Sequence, residues 1–191
     1  MMMEDMMAGS IFHGEDKRRK KKTALKSVRL PQDLLDVLER DADDKGIAFN
    51  SLFSSIATKY VEWDRYTSRF GFVTCTNAFF GMLLESVDTE RLKKVISERE
   101  NQILYDMMLF WFKNVSKDSF VNTLHLIGKY TGLFETEIRE DDSAYAIAVR
   151  SRFLALSQVL GSYFDRVIRT QLNAIPDVKS TESSIMIKLP K

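Results

Sequence analysis

Cysteine, histidine, proline and glycine are all scarce in this chain: one, two, three and eight of them in 191 residues. Each scarcity excludes something. A single cysteine, Cys75, cannot close an internal disulfide, so a reducing compartment is the default expectation. Cys75, His13 and His125 stand at no recognisable ligand spacing, which leaves no metal site of the zinc type. Glycine is too sparse for a phosphate-cradling loop with its lysine, and neither G-x-S-x-G nor H-E-x-x-H occurs. No apolar run is long and uncharged enough to cross a membrane. Glu4 and Asp5 come first, and the basic run comes late with no apolar core after it, which is not the order of a secretory signal. An enzyme is therefore the least expected class, and no cofactor is expected. With 45% hydrophobic and 29% charged residues, the composition suits a soluble globular protein.

Net charge is only +1, so the chain as a whole has little general attraction for polyanions. Its distribution is uneven. Residues 1–22 carry six basic and four acidic residues, and all six basic ones form one run, Lys17, Arg18, Arg19, Lys20, Lys21 and Lys22. Like charges in a row repel and do not pack. Together with the methionine-rich start they read as a disordered tail, 1–22, ending in a basic arm. On one reading the arm tracks phosphates; on the other it is a solubilising tail or a targeting signal.

The run abuts a patterned stretch. Val28 and Leu30 alternate with Ser27 and Arg29, the period of a half-buried strand. Pro31 stops that strand and suits the first turn of a helix, where Asp33 meets the helix dipole favourably. Leu34, Leu38 and Ala42 make one apolar stripe, flanked by Leu35 and Val37. Gly46 ends the helix. A second helix opens near Phe49, with Leu52, Phe53, Ile56, Ala57, Tyr60 and Val61 at helical spacing. One strand and two helices leave an apolar strand face with no partner inside the stretch, so two copies are expected to pair.

This order and spacing — S-V-R-L-P, then L-x-x-x-L-x-x-x-A-x-x-x-G, then G-I-A-F-N-S opening a helix — resembles the ribbon–helix–helix (MetJ/Arc) DNA-binding proteins. The resemblance covers about 45 residues of the N-terminal part. It implies a homodimer whose paired strands enter the major groove of double-stranded DNA, in a cytoplasmic transcriptional regulator such as a repressor. Leu25, Ser27 and Arg29 would point outward to base edges. The amides around Phe49, Asn50 and Ser51 would hold a phosphate. The basic arm, Lys17 to Lys22, would add phosphate contacts and steepen the salt dependence. The chain departs from the family pattern twice. Lys26 stands where an apolar residue is usual: either the strand frays there or the lysine snorkels toward phosphate. Ala48 stands where a Ser or Thr cap is frequent, forfeiting roughly 0.5–2 kcal/mol.

Beyond residues 23–69, the remaining 70–191 read as an accessory α+β domain for dimerisation or sensing, mainly helical and ending β-β-α-β. Helices are expected over 77–86, from Asp88 to about Phe112 with a break near Glu100, and from a cap at Asp118 to Gly132. Strands follow over 133–139 and 144–150, joined by the polar turn Glu140, Asp141, Asp142 and Ser143. A long helix from Ser151 to about Leu172 carries Phe153, Leu156, Val159, Leu160, Tyr163, Phe164, Val167 and Ile168. Ile185, Ile187 and Leu189 alternate in a last strand. Cys75 is expected buried, His125 to be a hydrogen-bonded structural residue, and Met82, Met107 and Met108 core filler. The fold class is thus α+β, a ribbon–helix–helix unit followed by this domain. Two alternatives stay open: an antitoxin-like module whose C-terminal domain grips a protein partner, and a regulator sensing a small-molecule effector there.

Overall fold

The computed structural model describes residues 24–98 and 102–191. They fall into two compact units, 24–73 in one and 74–98 with 102–191 in the other.

The first unit is helical. α1 (Gln32–Asp44) opens after Pro31 with Asp33 in its first turn. It ends at Lys45, and Gly46 takes a positive φ of +63° that a residue with a side chain would adopt only under strain. α2 (Phe49–Lys59) runs through a π turn, Tyr60–Asp64, into α3 (Arg65–Phe70), which Gly71 closes in the left-handed region. The buried side of α1 is Ala42, with Leu35 and Leu38 half-buried, packed toward Leu52 of α2. Leu34, expected on that stripe, is exposed. It lies one residue, or about 100° of helix, away from Leu35. Trp63 is buried in the π turn, its ring 5.0 Å from that of Phe72. Ala42, Leu52 and Trp63 are the buried hydrophobic residues of this unit among the described residues. Residues 24–31 join no sheet: the strand expected over Ser27–Leu30 has no pairing partner among the described residues.

The second unit is mixed α+β. It contains α4 (Asn77–Glu85), α5 (Thr89–Glu98), α6 (Gln102–Phe112) and α7 (Lys117–Thr131). Then come β1 (Glu135–Glu140), β2 (Ala144–Arg150), α8 (Leu154–Gln171), β3 (Asp177–Ser180) and β4 (Ser184–Pro190). The sheet is antiparallel throughout, in the order β1-β2-β4-β3. The expected β-β-α-β is therefore short by one strand. β3 carries a single apolar residue, Val178, and is a strand because it pairs with β4, which no local pattern reveals.

α7 packs beside β1, and α8 beside β3 and β4. The core between helices and sheet holds Phe120, Leu124, Phe164, Val167 and Ile168 against Ile147, Val149, Ile185, Ile187 and Leu189. Phe164 meets Phe120 and Phe134 edge-on, at centroid distances of 6.2 and 6.3 Å. Two glycines make close approaches possible. A Cβ on Gly128 of α7 would stand 3.1 Å from the Phe134 carbonyl oxygen. One on Gly161 of α8 would stand 2.1 Å from Ser180 Oγ.

Several local expectations change. The cap of α7 is Ser116, not Asp118. Its hydroxyl accepts from the Ser119 amide while Ser119 Oγ accepts from the Ser116 amide, a reciprocal box. Asp118 instead accepts a 2.5 Å hydrogen bond from the Tyr145 hydroxyl, with burial the first cause and this bond the second of a raised Tyr145 pKa. Cys75 is exposed, because residues 72–76 lie between α3 and α4 and belong to neither helix. His125 and Met82 are exposed on their helices, while Met107 and Met108 are buried. Asp88 caps α5 as expected, accepting from the Arg91 amide at 2.7 Å. The polar turn is closed by Asp141, whose carboxylate accepts from the Ser143 amide and hydroxyl and from the Ala144 amide.

Candidate nucleic-acid interface

Three groups of residues are expected to meet DNA, and two lie within the described residues. Leu25, Lys26, Ser27 and Arg29 are all exposed on the segment before Pro31. Leu25 keeps 98% of its surface and Val28, expected to face inward, keeps 59%. In a lone chain the segment thus presents its outer side and Val28 of its would-be inner side to solvent, while Leu30 is half-buried. Lys17, Arg18, Arg19, Lys20, Lys21 and Lys22 lie outside the described residues.

The second group is the start of α2. Ala48 is its N-cap and supplies no side-chain acceptor. The Ser51 amide turns back to the Ala48 carbonyl at 2.9 Å, so its N–H is already engaged. Helix geometry leaves the Phe49 and Asn50 amides without intrahelical acceptors. These two N–H groups, with the Ser51 hydroxyl, are what the helix start offers to an anion. Phe49 is half-buried and stacks on Phe53, 6.0 Å between ring centroids, which holds the turn of helix that carries the amides. With no side-chain cap bond at Ala48, the cap residue itself does not compete with a bound anion for those donors.

Lys45 is exposed in the α1–α2 turn, three residues before that cap. As a lone lysine between two helices it has no periodic signature, and it is not among the residues the sequence marks for DNA. Its position beside a helix start is the signal that could have found it. The rest of α1 has the wrong charge for DNA. Asp33, Asp36, Glu39, Asp41, Asp43 and Asp44 face a single Arg40 over this helix. Any phosphate-facing side of the unit must therefore exclude the outer face of α1.

Lys59 pairs with Asp64 at 2.6 Å across the π turn, both about half exposed. Among the described residues no group of three or more His, Cys, Asp or Glu is placed to hold a metal ion. No helix among them is long and apolar enough to cross a membrane. No family model, no curated protein and no solved structure matches the chain.

Proposed function

We propose that the chain is a sequence-specific DNA-binding regulator that acts as a homodimer. In this reading, residues 25–30 of two copies pair as a ribbon in the major groove. Arg29 reads a base edge, since arginine to guanine is the commonest specific contact. Leu25 and Ser27 flank it, while Lys26, the Lys17–Lys22 run, Lys45 and the Phe49 and Asn50 amides hold phosphates.

The observation that carries the reading is the unfinished first unit. Val28, Leu34, Val37 and Ile56 are exposed on one strand candidate and two helices, over an internal core of three hydrophobic residues. A core that small does not suffice for independent folding, and oligomerisation is the usual remedy. A second copy pairing strand to strand would cover Val28 and give the backbone of residues 24–30 a ladder partner in one step.

The test is duplex binding by fluorescence anisotropy on sites selected from a random pool, across a salt series. The Arg29→Ala variant should lose roughly 1–3 kcal/mol on the selected site and little on random sequence. Removing residues 1–22 should make the salt slope shallower. Equal affinity of the full chain for selected and scrambled duplexes sinks the proposal.

A second reading has its own observation. Phe79, Met82 and Leu83 lie at i, i+3 and i+4 on α4 and are all exposed. That apolar helix face suits a protein partner of the second unit, and the same anisotropy series separates the two readings: no duplex bound at low salt leaves only this one.

A further inference from the structure

The sheet of the second unit has one covered face and one open face. Strand alternation puts Glu135, Glu137 and Arg139 of β1 on the open side. Ala146, Ala148 and Arg150 of β2, Met186 and Lys188 of β4, and Asp177 and Lys179 of β3 share it. The pairing register arranges these residues in rows across the sheet. One row reads Glu137, Ala148, Met186, Lys179; the next reads Arg139, Ala146, Lys188, Asp177.

An open antiparallel face that simply meets water carries polar side chains along its strands. Here the two central strands contribute Ala146 and Ala148 of β2 and Met186 and Lys188 of β4, so one charge stands among three apolar residues, with Met186 still 49% exposed. Alanine is a poor strand former, so strand propensity does not account for the pair. Its merit is a low surface that allows close approach.

We infer that this open face is an interface with a second copy of the chain, related by a two-fold axis parallel to the strands and passing between β2 and β4. That operation keeps each row and reverses its order, so β1 of one copy lies over β3 of the other. Glu137 then faces the second copy's Lys179, and Arg139 faces its Asp177. Met186 of each copy seats on Ala148 of the other, a large side chain over a small one. A two-fold axis across the strands would also match charges, setting Glu137 over Arg139. It would stack alanine on alanine and Met186 on Lys188, a gap beside two long side chains in conflict, whereas the first arrangement seats Lys188 on Ala146 as it seats Met186 on Ala148. Packing selects the first arrangement.

Within one chain the same charges form surface pairs, Glu137 with Arg139 at 2.7 Å and with Arg150 at 3.7 Å, and Lys179 with Asp177 at 3.4 Å. Such pairs contribute little, so re-pairing across the interface costs little. Four strands about 4.8 Å apart, over a few residues each, give a footprint of roughly 400 Å² per copy. That is about half of a standard interface, near 800 Å² per partner. The contact is weak alone and is populated when something else holds the copies together. In that respect it rests on the proposed ribbon dimer, whose linkage would raise the local concentration to about the millimolar range.

The test uses the full chain with Cys75→Ser and a new thiol at Met186→Cys, treated with a short bis-maleimide at high protein concentration. The control thiol is Ser162→Cys, exposed on α8. Sedimentation velocity on the same samples reports any ribbon dimer separately. The Met186→Cys protein should cross-link several-fold faster than the control. Glu137→Lys or Lys179→Glu alone should slow it several-fold, and the two together should restore it. Cross-linking at the control rate overturns the inference, whether or not sedimentation shows a dimer. Failure of the double variant to rescue overturns the axis and with it the assigned pairing.

Discussion

If the first unit is completed by a second copy, its stability must depend on protein concentration while that of the second unit need not. Each unit holds one of the chain's two tryptophans, Trp63 in the first and Trp111 in the second. A Trp111→Phe protein therefore reports the first unit by fluorescence alone. Its Trp63 is 5% exposed and rests against Phe72, so its emission should shift on unfolding. For a dimer, a tenfold change in concentration is worth about 1.4 kcal/mol. One kcal/mol moves the midpoint of a domain of 60–100 residues by about 4–8 °C. Two copies of residues 24–73 make a body of that size, so each tenfold dilution should lower the Trp63 transition by roughly 5–10 °C. The core side chains left open set a second magnitude. Val28 retains 59% of its surface, and fully burying a valine is worth about 1.5–3 kcal/mol. Covering what remains gives about 1 kcal/mol per copy, or about 2 per dimer, which Val28→Ser would forfeit. That variant should melt roughly 10 °C lower at the same concentration. A Trp63 transition independent of concentration, and unmoved by Val28→Ser, refutes the reasoning that the first unit is unfinished.

Three further outcomes concern the second unit. Gly128→Ala should destabilise by about 1 kcal/mol, because its Cβ would stand 3.1 Å from the Phe134 backbone carbonyl oxygen, and such overpacking costs roughly 1–3 kcal/mol while alanine regains about 1 in helix propensity. Chemical denaturation that finds Gly128→Ala stabilising contradicts the close approach. Phe164→Ala, which removes the ring between Phe120 and Phe134, should cost about 3–5 kcal/mol in the same assay. The Asp141 carboxyl is held down to about 2 by its hydrogen bonds, the Ser143 hydroxyl first. A depressed folded pKa means its contribution is present above the unfolded value near 3.8 and lost as pH falls through about 2. A carbon-detected titration should find that midpoint, and Asp141→Ala should loosen the β1–β2 turn at pH 5 but not below pH 2.

How far the chain could be read from its residues differs by element. Gly46, Gly132 and Asp88 mark helix ends through φ and capping chemistry that act within a few residues, and all three stand where expected. The long helix α8 and the strands β1, β2 and β4 carry strong periodicity. β3 does not: Asp177, Val178, Lys179 and Ser180 are a strand through β4 alone. Burial of single residues was also hidden, since Cys75, His125 and Met82 depend on what lies across from them. Reading Asp118 as the cap missed Ser116 because both are good caps, and the choice was made by the reciprocal bond to Ser119 and by Tyr145, twenty-seven residues on. The π turn at Tyr60–Asp64 leaves no trace in the apolar spacing. At the candidate interface the order of groups is readable, but the side of residues 25–30 expected to face inward has no pairing strand among the described residues, so its covering belongs to the proposal.

Both edge strands of the sheet are ill suited to receive another strand. β1 carries Glu135, Glu137, Arg139 and Glu140 along its length, and β3 is four residues long with Asp177 and Lys179. Charged or stunted edges resist adding a further chain through backbone hydrogen bonds. If copies of the chain gather on DNA as proposed, they are crowded against one another. Sheets in that situation risk growing sideways without limit into fibres. With its margins closed to growth, this sheet can be concentrated to a local excess and still come apart as discrete molecules.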